Sequence, residues 1–415
     1  MLPSSIKQKY WDISQDLQQW KNILLGNDHT FRDIVLKDRL RSPKAVVPVS
    51  GETAKRAAAA VRWLIAAQNA TPDGGVSYGY FPVSPASGWE VSYPETTGYI
   101  MTSLVTFARL TGQSELMDRA YRMAQWEANI QMSSGAVQGG KVTTHDKQTP
   151  AAFNTGMVLD GFVSILQERD DSTIFRAAER AGRFLVNDLN DKGMFRTNGA
   201  FVSAKSIKTY NVLCAWAMHR LGELTGKTLY SDGAIRAVEG ALKLRQENGW
   251  FAENCLDDHQ RPLTHTIGYT AQGILEVGIA AGRDDFVEAS ECCLQGILPN
   301  IEENGYLAGR FDSDWRPTVR WVCATGSAQI AIVAYRLAEL RGNQDYRAAA
   351  DKLVNYLKAI QRIDTGIDGI DGAIAGSYPI TGAYMTGGYP NWATKYFLDA
   401  LMLQAQHSGL MLIVA

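Results

Sequence analysis

Glu95 stands in the stretch SYPETTGYI (92–100), behind Pro94 and ahead of an apolar run that includes Leu104, Val105, Phe107 and Leu110. Proline suits the first helical position, and a carboxylate suits the first turn, where free N–H groups point outward. Glu95 therefore reads either as a helix cap or as a general acid or base whose pKa is raised by partial burial. In THTIGYT (264–270), His265 and Tyr269 lie one helical turn apart on one face, a spacing that suits a proton-transfer pair or a substrate clamp. Asp312 and Asp314, in FDSDW, offer the second carboxylate that glycoside hydrolysis pairs with its acid, or else form a solvated turn.

Around these lie residues suited to holding a sugar. Aromatic faces stack on the C–H faces of sugar rings, and fixed amides, carboxylates and cations meet the hydroxyls and acidic groups. The candidates are Trp89, Tyr93, Tyr210, Trp315, Tyr389 and Trp392, with Asn154, Asn391 and Glu253 as polar partners. Lys205, Arg320 and Lys395 could meet an acidic group. Each aromatic taken singly reads equally well as packing.

The elements that must position them are helices in a repeat. An alanine-rich amphipathic helix, a polar turn with glycine and a short extended piece recur six times, beginning near residues 56, 118, 175, 234, 286 and 346. Six more apolar helical runs alternate with them (96–112, 151–166, 207–226, 264–282, 324–342 and 391–405). Markers near their starts, Glu95, Asn154, Tyr210, His265, Thr325 and Asn391, fall 59, 56, 55, 60 and 66 residues apart. A period near 60 with two helices implies an array of helical hairpins. Amphipathic outer helices around nearly all-apolar inner ones predict an all-α fold, an (α/α)6 toroid at residues 51–415, with 1–50 as a helical extension packed on the barrel. Six inner helices would then begin at one end, and their loops would surround one funnel.

Composition excludes several classes. The 415 residues are 46% hydrophobic and 20% charged with formal net charge −2, so a nucleic-acid partner is not expected. No apolar run reaches the roughly 18–20 residues of a membrane span. The five cysteines have no CxxC spacing and read as reduced, buried thiols. No secretory leader is visible, which predicts a cytoplasmic protein, or a periplasmic one if a leader was removed. Cys255, Asp257 and His259 crowd one loop without a spacing that fixes metal geometry, so no metal and no cofactor are expected.

RAAAAVRWLIAAQNATPDGGV (56–76) is similar to the QW repeat of squalene–hopene cyclases, and PLTHTIGYTAQGI resembles the zinc-histidine helix of protein prenyltransferase β subunits. Both resemblances imply an α/α toroid; the aspartate-rich acid of the cyclases is missing. Over residues 55–405, the strings SYPETTGYI, FNTG, ENGWF, CATGSAQIAI and YPNWATKYFLDAL resemble a group of bacterial toroid proteins from exopolysaccharide gene clusters. Other toroids of this size, such as uronyl hydrolases, alginate-type lyases and sugar epimerases, act on carbohydrates, though their signatures are not clearly present. The expected function is cleavage of a bacterial poly- or oligosaccharide with acidic sugars, by hydrolysis or β-elimination. A terpenoid cyclase, a prenyltransferase-like enzyme, an epimerase and a non-catalytic glycan-binding protein are the alternatives.

Overall fold

The computed structural model describes residues 29–82, 88–199 and 206–412. Its described residues hold thirteen α-helices. A first helix, α1 (His29–Leu40), precedes the barrel and buries Phe31 and Val35 in the common core. The outer ring is α2 (Thr53–Asn69), α4 (Ser114–Ile130), α6 (Ser172–Asp188), α8 (Thr228–Leu242), α10 (Asp284–Ile297) and α12 (Gln344–Ile360). The inner ring is α3 (Pro94–Thr111), α5 (Ala152–Leu166), α7 (Leu213–Thr225), α9 (Thr264–Ala280), α11 (Ala324–Arg341) and α13 (Asn391–His407).

Burial follows the patterning. On α6 the buried residues Ile174, Ala177, Ala178, Ala181 and Leu185 form one stripe, as a helix covered on one side requires. On α5 every residue but Asp160 and Leu166 is buried, because α5 has neighbours on both sides. Each inner helix packs on the next, and α13 returns to α3, so the ring is closed.

Outer and inner helices alternate along the chain as the repeat implies, and packing shows which neighbours form each hairpin. In the structure the tight hairpins run inner to outer, as in α3–α4 and α11–α12, and α2 packs on α13 from the far end of the chain. The first and last barrel helices, α2 and α13, thus pack as a pair, which closes the toroid without a polar cap.

Two repeated devices set the geometry. Glycines after the outer helices sit against the backbone of the next outer helix: a Cβ on Gly135 (φ 88°) would come within 2.5 Å of the Arg180 carbonyl oxygen. At the seam Gly372 (φ 95°) meets the Ala59 carbonyl oxygen of α2 at 2.1 Å in the same test. Only glycine tolerates both the positive φ and the close approach. At the inner ends, Thr97 Oγ1 donates to the Tyr93 carbonyl at 2.9 Å and accepts the Val76 N–H at 2.9 Å. Thr155 does the same with Ala151 and Val137, and Thr394 accepts from Ile374. These threonines pin each extended segment to the helix that follows, so the loops gather at one end. Short strands complete that end: β1 (Gly79–Phe81) pairs with both β2 (Gly88–Trp89) and β7 (Tyr389–Pro390), and β3 (Val137–Gln138) with β4 (Pro150–Ala151). Between them in the chain, β5 (Val322–Cys323) pairs with β6 (Ser377–Tyr378).

Candidate active site

The inner-helix N-termini surround a cavity of about 690 Å³. That lies in the range of about 300–1,000 Å³ usual for small-molecule sites. Glu95, from the first turn of α3, faces into it. A capping carboxylate would be held low by the helix N–H groups. Instead burial pushes the Glu95 carboxyl up to about 7, opposed only by a hydrogen bond from Tyr93. That bond is long, 3.4 Å from Tyr93 Oη to Glu95 Oε2, so desolvation wins. Protein surrounds the carboxyl, yet the side chain keeps partial exposure because it opens onto the cavity. A proton donor for neutral pH needs this environment.

Aromatic rings form a continuous wall around the acid. Tyr93 meets Tyr78 at 5.0 Å between centroids, and Tyr78 meets Trp392 at 4.9 Å. Trp392 Nε1 donates to Tyr384 Oη at 2.8 Å, and Tyr384 lies 5.6 Å from the His265 ring. His265 packs on Tyr269 at 4.3 Å, Tyr269 on Phe153 at 4.7 Å and Phe153 on Tyr210 at 5.3 Å. Asn154, beside the Tyr93 hydroxyl, completes the circuit and donates to the Gln138 carbonyl at 3.0 Å.

His265 Nδ1 lies 2.8 Å from Gln329 Oε1, which makes Nδ1 the donor and leaves Nε2 as the acceptor. Burial pushes its pKa down to about 4, against the Gln329 hydrogen bond, so the imidazole is neutral at pH 7. The carboxyl group thus holds its proton to higher pH than the imidazole does, the reverse of their order in water. Burial holds the Tyr269 phenol far above its ordinary pKa; its hydroxyl approaches that of Tyr396 without good hydrogen-bond geometry.

Tyr384 and Asn211, which the repeat also sends to this end, line the cavity, and six more lining residues have no sequence signal: Tyr78, Phe153, Met385, the amide Asn198 and the cations Lys141 and Lys147. Asn211 Nδ2 donates to Asn198 Oδ1 at 3.0 Å. Asp257 also lines the cavity; burial raises its pKa, but the hydrogen bonds and charge of Arg310 outweigh this and hold the carboxyl below its ordinary value. Lys208, itself buried, donates to the carbonyls of Cys255 and Leu256 and so fixes the loop that carries Asp257.

No protein-family model matches the chain, and no curated protein matches it in sequence. Solved structures share its fold. An unsaturated glucuronyl hydrolase specific for heparin superposes with a TM-score of 0.70 at 16% identity, over 87% of this chain and 99% of that one. The unsaturated glucuronyl hydrolase from Bacillus sp. GL1, responsible for glycosaminoglycan degradation, gives 0.66 at 16% identity, over 86% and 98%. The chain has the unsaturated glucuronyl hydrolase fold. A D-mannose isomerase shares it too, with a TM-score of 0.65 at 13% identity over 86% and 98%. The (α/α)6 scaffold is therefore common to hydrolytic and isomerising proteins, and the chemistry must be argued from the side chains.

Of the sequence-predicted residues, Glu95, Tyr93, Asn154, Tyr210, His265, Tyr269 and Trp392 line this one cavity. Apart from Lys205, the others are placed elsewhere. Asp312 Oδ1 accepts the N–H groups of Asp314 and Arg316, and Asp314 pairs with Arg316 at 3.2 Å, so FDSDW is a self-contained turn outside the cavity. Trp315 belongs to that turn and packs edge-on to Trp250, its Nε1 donating to the Asn248 carbonyl. Trp89 is packed on Trp63 and Tyr80. Tyr389 is fully buried beside Arg362, and buried Asn391 donates from Nδ2 to the Ser77 carbonyl and Thr96 Oγ1. Glu253 stands outside the cavity, 2.9 Å from His259 Nδ1. Lys395 is buried in the barrel, 2.8 Å from Asp399 and over the Tyr396 ring. Arg320 lines a separate surface depression with Lys44 and Tyr306. Lys205 lies outside the described residues.

Proposed function

We propose that the chain cleaves glycosidic bonds in an oligosaccharide carrying acidic sugars, by hydrolysis, with residues 51–415 as the catalytic toroid and 1–50 as its extension. The observation that carries this reading is Glu95, a carboxyl group protonated near neutral pH inside an aromatic-walled cavity. Glu95 protonates the glycosidic oxygen as the bond to the leaving sugar breaks, and Tyr93 orients the carboxyl. Neutral His265, with Nδ1 committed to Gln329, presents Nε2 to take a proton from the attacking water. Water thus supplies the hydroxyl of one product, and Glu95 supplies the proton of the other. Trp392, Tyr78 and Tyr210 offer faces for sugar rings, and Asn154, Asn198 and Asn211 offer amides for hydroxyls. Lys141 and Lys147 supply the positive charge that an acidic sugar needs.

One observation favours a second reading, β-elimination. A neutral imidazole packed on a phenol is a base beside an acid, the pair needed to take a proton next to a uronate carboxylate and return one to the leaving oxygen. The test is incubation with a panel of acidic and neutral oligosaccharides, including fragments of bacterial exopolysaccharides. New reducing ends and the ultraviolet absorbance of an unsaturated uronate are followed together. Reducing ends without absorbance, lost in Glu95→Gln, support hydrolysis; ends with absorbance support elimination. Ends produced equally by Glu95→Gln would refute the role of Glu95, and no ends from any saccharide would refute cleavage.

A further inference from the structure

The cavity is graded in charge from floor to mouth. Its deep residues are buried: His265 is 5% exposed, Tyr269 3% and Asn211 2%. All of them are uncharged, and among the described lining residues none at this depth is a cation. The two lining lysines, Lys141 and Lys147, are exposed. Both belong to the loop between β3 and β4, a hairpin whose stems pair Val137 with Ala151 and Gln138 with Pro150.

That hairpin is tied down around Lys141. Gln138, 2% exposed, donates from Nε2 to the Lys141 carbonyl at 2.5 Å and accepts Asn154 Nδ2 on its own carbonyl. The turn that follows is thereby tied to α5. Lys141 Nζ lies 5.2 Å over the face of Tyr78, a wall residue of the cavity, and 2.7 Å from Glu90. Lys147 has no carboxylate partner among the described residues. Of the acidic groups near this rim, Glu90 pairs with Lys141, and Asp257 is neutralised by Arg310, 2.7 Å from its Oδ2.

Resting on the cleavage reading, we propose that the sugar unit entering beside Glu95 and His265 is uncharged, and that the substrate's carboxylate sits on the next unit, the leaving sugar, held by Lys141 and Lys147. A carboxylate brought to the floor would lose its water and find no cation there. Neutral donors cannot offset that desolvation as an ammonium can. It would also stand against Glu95 and raise the cost of ever ionising that group. At the rim the same carboxylate keeps part of its hydration and gains a charge-assisted contact. The substrate is then an oligosaccharide with a neutral glycone and an acidic aglycone.

Isomeric disaccharides separate the two placements. Glucosyl-glucuronate and glucuronosyl-glucose, each in several linkages, are compared for kcat/KM, with glucosyl-glucose as the neutral reference. The same three are titrated calorimetrically into the Glu95→Gln variant, which reports binding without turnover. The expected result is a preference of about tenfold or more for glucosyl-glucuronate in both measurements. Lys147→Gln reduces that preference through KM, and raised salt does the same, because a rim charge is screened. Preference for glucuronosyl-glucose, or an equal loss for all three in Lys147→Gln and Lys141→Gln, overturns the placement. Failure of all three to bind overturns it too. The binding preference without any cleavage would sink the hydrolytic reading and leave the placement standing.

Discussion

Replacing Glu95 by glutamine keeps the shape of the side chain and removes the titration that burial has displaced. The carboxyl is raised from 4.5 to about 7 in the folded chain, so between these values the folded state holds a proton that the unfolded state has released. Stability contributed by this group is intact below about pH 4.5 and falls as pH rises towards 7, because the folded state binds more protons. At about 1.4 kcal/mol per pH unit, the loss reaches roughly 3 kcal/mol above neutrality. Glutamine has no such loss. The variant should match the wild type near pH 4.5 and exceed it by roughly 3 kcal/mol near pH 8. Urea unfolding of both proteins at several pH values, followed by tryptophan fluorescence and circular dichroism, gives the difference directly, and every other titrating group cancels in it. A difference that does not change with pH, or a wild type more stable than the variant at pH 8, would refute the burial argument and return Glu95 to the role of a helix cap.

Other residues carry their own tests. Glu127 on α4 is wholly buried with no hydrogen bond to either carboxyl oxygen, and burial raises its pKa well above the ordinary value. Glu127→Met should stabilise the chain by about 1–3 kcal/mol in urea unfolding, and a destabilised variant would show that the acid has a partner. Gly161 faces α3 so closely that a Cβ would lie 2.3 Å from the Gly98 carbonyl oxygen, and Gly161→Ala should cost about 1–3 kcal/mol; an unchanged midpoint would contradict this packing. Trp392→Ala removes a wall face and the donor to Tyr384, so saccharide affinity measured by calorimetry should fall about tenfold or more. Unchanged affinity would remove Trp392 from the site.

The toroid is legible in the sequence because its causes are local and repeated. Apolar spacing separates inner from outer helices, and glycines recur where outer helices meet, as at Gly135 and Gly372. The hairpin register is harder to read, since nothing between residues 70 and 93 says whether the loop or the tight turn at Gly112 joins a packed pair. Glu95, His265 and Tyr269 are legible because they sit in the first two turns of inner helices, which symmetry sends to one end. Asp312, Trp315 and Arg320 come from the same set of loops, but a loop near the mouth need not reach the axis. FDSDW folds on itself through Asp312, and spacing cannot distinguish that turn from a wall residue. Asn391 and Lys395 are on an inner helix, yet one points back at Ser77 and the other pairs with Asp399 below the cavity. Lys141 and Lys147 escape notice because their loop has no periodicity, and only the β3–β4 pairing brings it over the cavity.

The central claim is that Glu95 delivers the proton that breaks the bond. The most direct measurement is the pH dependence of kcat on the best-cleaved saccharide, for the wild type and Glu95→Gln side by side. The account predicts a wild-type rate that declines as pH rises through about 7, as the acid ionises, and a variant slower by about 10²–10⁴-fold with no such decline. A wild-type rate that climbs through neutrality, or a glutamine variant that retains the wild-type rate and profile, would contradict it.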